Sequence, residues 1–308
     1  MKNYKTIFCL VLLCVCLLTQ SCYAYWVWSP QTNKWVNPIY KVFDTPKEQY
    51  DWAMAYFEEA DYSKAIFEFK KILKHFPKDE LAPEAKFYIA QSLANMNKWD
   101  RALEAFQKVI EIYPLNKRLG EIVEQQYLIG EKFFNKKKYY RAKEIFQKVL
   151  SNAPYSSISD VAKYKSGLCE VKVNDYLKAR DEFEEFIDNY ASSPYVDDAT
   201  YNIGFCSYKL SALVKDYDEE LIDQGITDLE HFTRKYPTSE FVPEAEKLIN
   251  DLYDKKAGKL YAIAHFYEKQ KKTFAAKQYY EDLVFTYAKS DWAKKANKRL
   301  KVLSEKKL

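Results

Sequence analysis

Few residues in this 308-residue chain have the types and spacing that bond-making chemistry needs. The three histidines, His75, His231 and His265, are scattered, with no His-Cys or His-Asp grouping at metal-ligand spacing. His231 and His265 read as solvent or groove residues. Six glycines leave no Gly-rich loop to cradle a phosphate, and no serine sits in a nucleophile elbow. No cofactor, no metal and no catalytic residue follow from this pattern, so the chain reads as non-catalytic.

One cysteine has a chemistry of its own. Lys2 and Lys5 precede an apolar run from Ile7 to Leu18, too short to span a bilayer and suited to a secretory signal over residues 1–24. Ser21-Cys22 after Leu17-Leu18-Thr19-Gln20 resembles a lipoprotein box, which would make Cys22 a lipid attachment site. Thr19 stands where that pattern has Leu. Cys22 and Ala24 also fit ordinary cleavage before Tyr25, and both routes stay open. Export is common to the two. Cys9, Cys14 and Cys16 leave with the leader, whereas Cys169 and Cys206 fall at equivalent places in adjacent repeats. Helices pack 8–10 Å apart, beyond the roughly 7 Å reach of a disulfide, so both are expected as small buried thiols.

The remaining candidates act by contact. Tyr50, Phe87, Tyr127, Tyr164, Tyr201 and Tyr261 each stand three residues before a small residue. They are candidates for an aromatic ladder lining a groove that grips a client segment, or else they brace neighbouring helices. Residues 251–308 carry fourteen Lys and one Arg against seven acidic residues, a net of +8. Lys294, Lys295 and Lys298 are its candidate docking surface, with a solvated helix face as the competing reading. The formal charge of the whole chain is only +4, too balanced for nucleic acid.

What would position these residues is a recurring pair of small residues. They are Ala53/Ala65, Ala90/Ala102, Gly130/Ala142, Gly167/Ala179, Gly204/Gly225 and Ala264/Ala276. Five pairs are twelve apart, and the fifth pair carries an insertion of nine around KLSALVKDYDEELIDQ. Four residues after each second small residue comes Phe69, Phe106, Phe146, Phe183, Leu229 or Tyr280. Pro77, Pro114, Pro154, Ala191, Pro237 or Ala288 stands twelve after the second small residue. Small residues where two backbones approach, a buried stripe at i, i+4 and i+7, and a terminal proline describe an antiparallel helix pair. Repetition of such a pair resembles the tetratricopeptide repeat. The expected fold is all-α, a right-handed superhelix of about six helix–turn–helix repeats over 45–290, with a capping helix at 291–308.

Several local expectations attach to that frame. Residues 25–44 do not fit the repeat; YWVWSPQTNKWVNP suggests a short hairpin of Trp26–Trp28 against Trp35–Val36. It is either a cap on the first helix or an aromatic dock for a membrane interface or partner barrel. Thr45-Pro46-Lys47-Glu48 reads as a helix start. One long helix should run from Pro243 to about Gln270 with Gly258 as its weak point, and Ser290 should cap the last helix.

The order of features over 195–290 narrows the family. YVDDATYNIGFCSYKLSAL, the insert, GITDLEHFTRKYPTSEFVPEAEKL, the long helix and LYAIAHFYEKQKKTFAAKQYYEDLVFTYAKSDWA follow in succession. This resembles the BamD-type lipoproteins of the machinery that inserts β-barrels into the bacterial outer membrane. The resemblance implies a periplasm-facing scaffold at the inner face of the outer membrane, with protein partners in β-barrel assembly and no small-molecule substrate. The competing reading is a periplasmic adaptor of another envelope system, linked to cell division or peptidoglycan.

Overall fold

A computed structural model describes residues 27–29, 34–36, 41–213 and 217–305. The leader at 1–24, Cys22 and the rest of the Trp-rich segment lie outside the described residues. The chain divides into two compact units, residues 1–105 and 106–308.

The first unit opens on a two-stranded antiparallel hairpin, β1 (Val27–Ser29) and β2 (Lys34–Val36). Its register pairs Val27 with Val36 and Trp28 with Trp35, and Trp26 lies outside the described residues. Helices α1 (Pro46–Glu58), α2 (Tyr62–His75) and α3 (Leu81–Asn95) follow, and α4 (Trp99–Ile112) begins in this unit. Thr45 caps α1 as its sequence indicates. Its hydroxyl accepts from the Glu48 N–H at 3.2 Å and donates to Glu48 Oε2 at 2.9 Å, with Pro46 in the first turn. The core joins Ala53, Ala65, Phe69, Ile72, Ala85 and Ile89, with Tyr88 stacked on Phe69 at 5.6 Å.

A polar clamp lies beside that core. Gln49, fully buried, donates from Nε2 to Glu68 Oε2 at 2.7 Å and accepts from the Phe43 N–H at 3.2 Å. Lys71 Nζ, 2.9 Å from Glu68, donates at 3.0 Å to the Lys41 carbonyl. A buried carboxylate is tolerable only when paired and hydrogen-bonded in this way. The clamp fixes the path of the chain into α1.

The second unit holds the rest of α4, then α5 (Leu119–Asn135), α6 (Tyr139–Asn152), α7 (Ser159–Lys172), α8 (Tyr176–Asn189), α9 (Val196–Leu213) and α10 (Glu219–Lys235). It ends with α11 (Val242–Lys269), α12 (Thr273–Thr286) and α13 (Asp291–Glu305). The described chain is thus a succession of thirteen helices preceded by the hairpin, and the small-residue register places their crossings. A Cβ built on Gly130 would lie 2.7 Å from the Phe146 ring, and one on Gly204 2.7 Å from Leu229. At Gly130, Gly167 and Gly204 the first small residue of the pair thus receives the large residue of the second helix. The insert lengthens the fifth pair by extending α9 to 18 residues, against 14 in α7.

The turns carry a feature the small-residue register does not announce. Ala60, Asn97, Lys137, Asn174 and Lys271 all have φ between 57° and 64°. Each stands seven residues after its repeat's first small residue, in the left-handed position that closes a helix C-terminus. The Lys98 N–H reaches the Leu93 carbonyl at 2.9 Å, the bond that closes such an end.

The long helix expected around Gly258 is present. The 28-residue α11 runs through that glycine unbroken, and a Cβ there would meet the Trp292 indole at 3.2 Å. Its missing side chain is the space the indole occupies. Ser290 does cap α13, accepting from the Ala293 N–H at 3.0 Å.

Candidate protein-binding surface

Three of the six ladder residues, Phe87, Tyr164 and Tyr201, are buried, and for these the groove-lining expectation gives way to the bracing one. Tyr164 is 7% exposed and Tyr201 6%, and Phe87 is buried. Tyr164 stacks on Tyr195 at 5.1 Å and 12°, with Phe183 and Phe186 at 5.8 and 5.9 Å. Tyr201 stacks on Phe241 at 4.6 Å and 12°. In both, an aromatic residue leading into the next repeat covers the ring face that a client would need. Tyr50, Tyr127 and Tyr261 are half-buried. Tyr50 packs on Phe69, Tyr127 on Phe146, and Tyr261 on Tyr280 and Trp292. The Tyr164 hydroxyl reaches Asp198 Oδ2 at 3.4 Å, and burial raises the Asp198 carboxyl above its usual range.

Cys169 and Cys206 are free and buried, as expected. Burial pushes both thiols up to about 12, so neither holds an appreciable thiolate near neutral pH.

The C-terminal helices build a different kind of surface. Arg299 on α13 donates to both oxygens of Glu268 on α11, and Tyr280 Oη on α12 donates to Glu268 Oε2 at 2.9 Å. One carboxylate thereby ties three helices, and the Arg299 guanidinium holds it below the ordinary glutamate range. Trp292 seats against Gly258, donates from Nε1 to Asp254 Oδ2 at 3.1 Å and lies under the Lys295 ammonium at 4.0 Å. Lys294, Lys295 and Lys298 are all exposed, with Lys294 paired to Asp291 at 2.7 Å. A cleft of about 830 Å³ opens between α11 and the α12–α13 turn, lined by Asn250, Tyr253, Asp254, Tyr287, Ser290 and Asp291.

Three phenylalanines here escaped sequence reasoning. Phe266 is 58% exposed, Phe274 77% and Phe285 88%. Phe274 and Phe285 fall off the Ala276–Tyr280–Leu283 stripe of α12, and that offset is the signal that finds them.

Among the described residues, no helix is long and apolar enough to cross a membrane, and no group of His, Cys, Asp and Glu could hold a metal ion.

Stacked helix pairs with this register define a tetratricopeptide-repeat protein, and the repeat profile matches residues 49–79 and 84–116. More narrowly, the profile of YfiO, the outer membrane lipoprotein family, matches residues 120–307, and the chain belongs to that family. The match begins well before residue 195, where the resemblance was expected to be strongest. Membership carries a location in the cell envelope, and the repeats make the chain a scaffold for protein interactions. Among solved structures, MamA 41-end from Desulfovibrio magneticus RS-1 is 21% identical, with 67% of this chain and 98% of that chain covered and a TM-score of 0.37. A tetratricopeptide repeat protein from Parabacteroides merdae is 12% identical, with 84% and 98% covered and a TM-score of 0.39. No curated protein matches the chain.

Proposed function

We propose that this chain is a non-catalytic, periplasm-facing scaffold that holds partners in outer-membrane β-barrel assembly, anchored to the inner face of the outer membrane by lipid on Cys22. Membership of the outer membrane lipoprotein family supports the setting. The observation that carries the docking role is the exposure of Phe274 and Phe285 beside a lysine-bearing last helix. Phenylalanine rings exposed to this extent on one helix suit a partner's apolar surface. Lys294, Lys295 and Lys298 would steer an acidic partner toward them, an effect that salt screens over about 8 Å at physiological ionic strength.

Affinity purification from detergent-solubilised membranes tests the reading. Co-purification of a β-barrel assembly protein is expected. Recovery of peptidoglycan-linked or Tol-type partners in its place would overturn it in favour of an adaptor of another envelope system. Intact mass of the mature chain tests the anchor: acylated Cys22 is expected, and an unmodified N-terminus at Tyr25 removes it.

A further inference from the structure

The first unit carries an aromatic line that runs outward from the edge of its core, where Tyr56 packs. Phe43 lies 5.8 Å from Trp52, and Trp52 lies 5.4 Å from Tyr56. Lys41 Nζ sits 5.8 Å from the Phe43 ring centre, and Lys64 Nζ 5.3 Å from that of Tyr56. Three rings in a row thus have an ammonium at each end. Trp52 is 46% exposed on α1, and Trp35 in the hairpin is 63% exposed. The core of the unit is built from Ala53, Phe69 and Ile72, leaving these tryptophans outside it.

Tryptophan and tyrosine, with an apolar body and a polar tip, beside lysine ammonium groups suit the boundary between bilayer and water. The charge selects the kind of bilayer. Residues 41–64 hold three lysines against six acidic side chains, so a strongly anionic surface would repel this face. Zwitterionic headgroups would not.

Chain connectivity brings one exposed ring, Trp35, close to such a surface. The hairpin register sets Trp35 opposite Trp28, which is six residues from Cys22. Six extended residues reach at most about 20 Å. The fold-back therefore keeps Trp35 within short reach of Cys22, although it lies thirteen residues further along the sequence.

We infer that the Phe43–Trp52–Tyr56 line is an interfacial face that lies on a zwitterionic lipid surface, with Trp35 as a second interfacial ring near the anchor. The inference rests on the anchored reading above, and its test separates the two. The mature chain carrying Cys22→Ser, which has no lipid, is sedimented with phosphatidylcholine–phosphatidylethanolamine vesicles. The expected result is co-sedimentation that persists in 0.5 M NaCl and falls at least tenfold in Trp35→Ser/Trp52→Ser, with circular dichroism unchanged. Trp35→Phe/Trp52→Phe should recover part of the binding. No co-sedimentation, binding only to anionic vesicles, or binding abolished by salt would each overturn the inference. So would equal binding by wild type and Trp35→Ser/Trp52→Ser, or capture of this face by a protein with no vesicle binding. An unacylated mature chain would remove the anchor while leaving the vesicle result to stand by itself.

Discussion

The Phe183 ring occupies the space that a side chain on Gly167 would need. A Cβ built there lies 2.8 Å from ring atom Cε1, closer than real contacts allow. Alanine is the better helix former by about 1 kcal/mol, but overpacking a well-filled crossing costs about 1–3 kcal/mol. Gly167→Ala is therefore expected to lower stability, and part of the loss should return in Gly167→Ala/Phe183→Leu. A urea double-mutant cycle with no coupling between the two positions would contradict the crossing.

The left-handed turns predict the opposite sign. Lys137 at φ 59° and Lys271 at φ 57° hold a conformation that costs a residue with a Cβ about 1–2 kcal/mol. Glycine removes that strain and adds unfolded-state entropy, leaving a net gain of about 0.5–1 kcal/mol. Lys137→Gly and Lys271→Gly should each raise the melting temperature, whereas glycine at Lys136, one residue earlier, should lower it.

Tyr164→Ala with Tyr201→Ala should unfold the second unit at lower denaturant, each truncation costing on the order of 3 kcal/mol by the cavity it leaves. Tyr164→Phe and Tyr201→Phe keep the stacked ring and should stay near wild type. A tyrosine-to-alanine double variant that melts normally would return these residues to an open groove.

Acid should loosen the C-terminal helices. The folded Glu268 carboxyl lies below its ordinary value of 4.5, so its stabilisation is present above that value and is lost as pH falls through the folded value. Wild type is expected to lose melting temperature between pH 5 and pH 3 more steeply than Glu268→Gln. Parallel profiles would show that Arg299 and Tyr280 do not hold the carboxylate in solution.

The docking surface has its own test. Phe274→Ser with Phe285→Ser removes exposed rings, so melting should stay near wild type while partner capture weakens at least tenfold, about 1.4 kcal/mol. Lys294→Glu, Lys295→Glu and Lys298→Glu together should slow association chiefly at low salt. Normal capture by both sets would place the interface elsewhere.

The repeat register was legible because it rests on close approach: Gly130 and Phe146 meet by a steric rule that spacing alone expresses. The fate of Tyr164 and Tyr201 was not. Their ring faces are covered by Tyr195 and Phe241, which lead into the next repeat, and a pattern read within one repeat does not show its neighbour. The partner of Gly258 was hidden for a similar reason, since Trp292 stands 34 residues away on another helix. Among the left-handed turns, Asn97 and Asn174 carried a readable signal, asparagine being at ease there, and Ala60, Lys137 and Lys271 carried none.

The polar clamp on residues 41–43 has a mechanical consequence. A pull on the N-terminal segment reaches α1 only after passing the Lys41 carbonyl, held by Lys71, and the Phe43 amide, held by Gln49. Tension is thereby delivered to two helices at once and loads several hydrogen bonds together, so the first helix does not peel off turn by turn. Replacing Lys71 with Met would convert a shared load into a zipper, and the unfolding force measured by pulling from the N-terminus should drop.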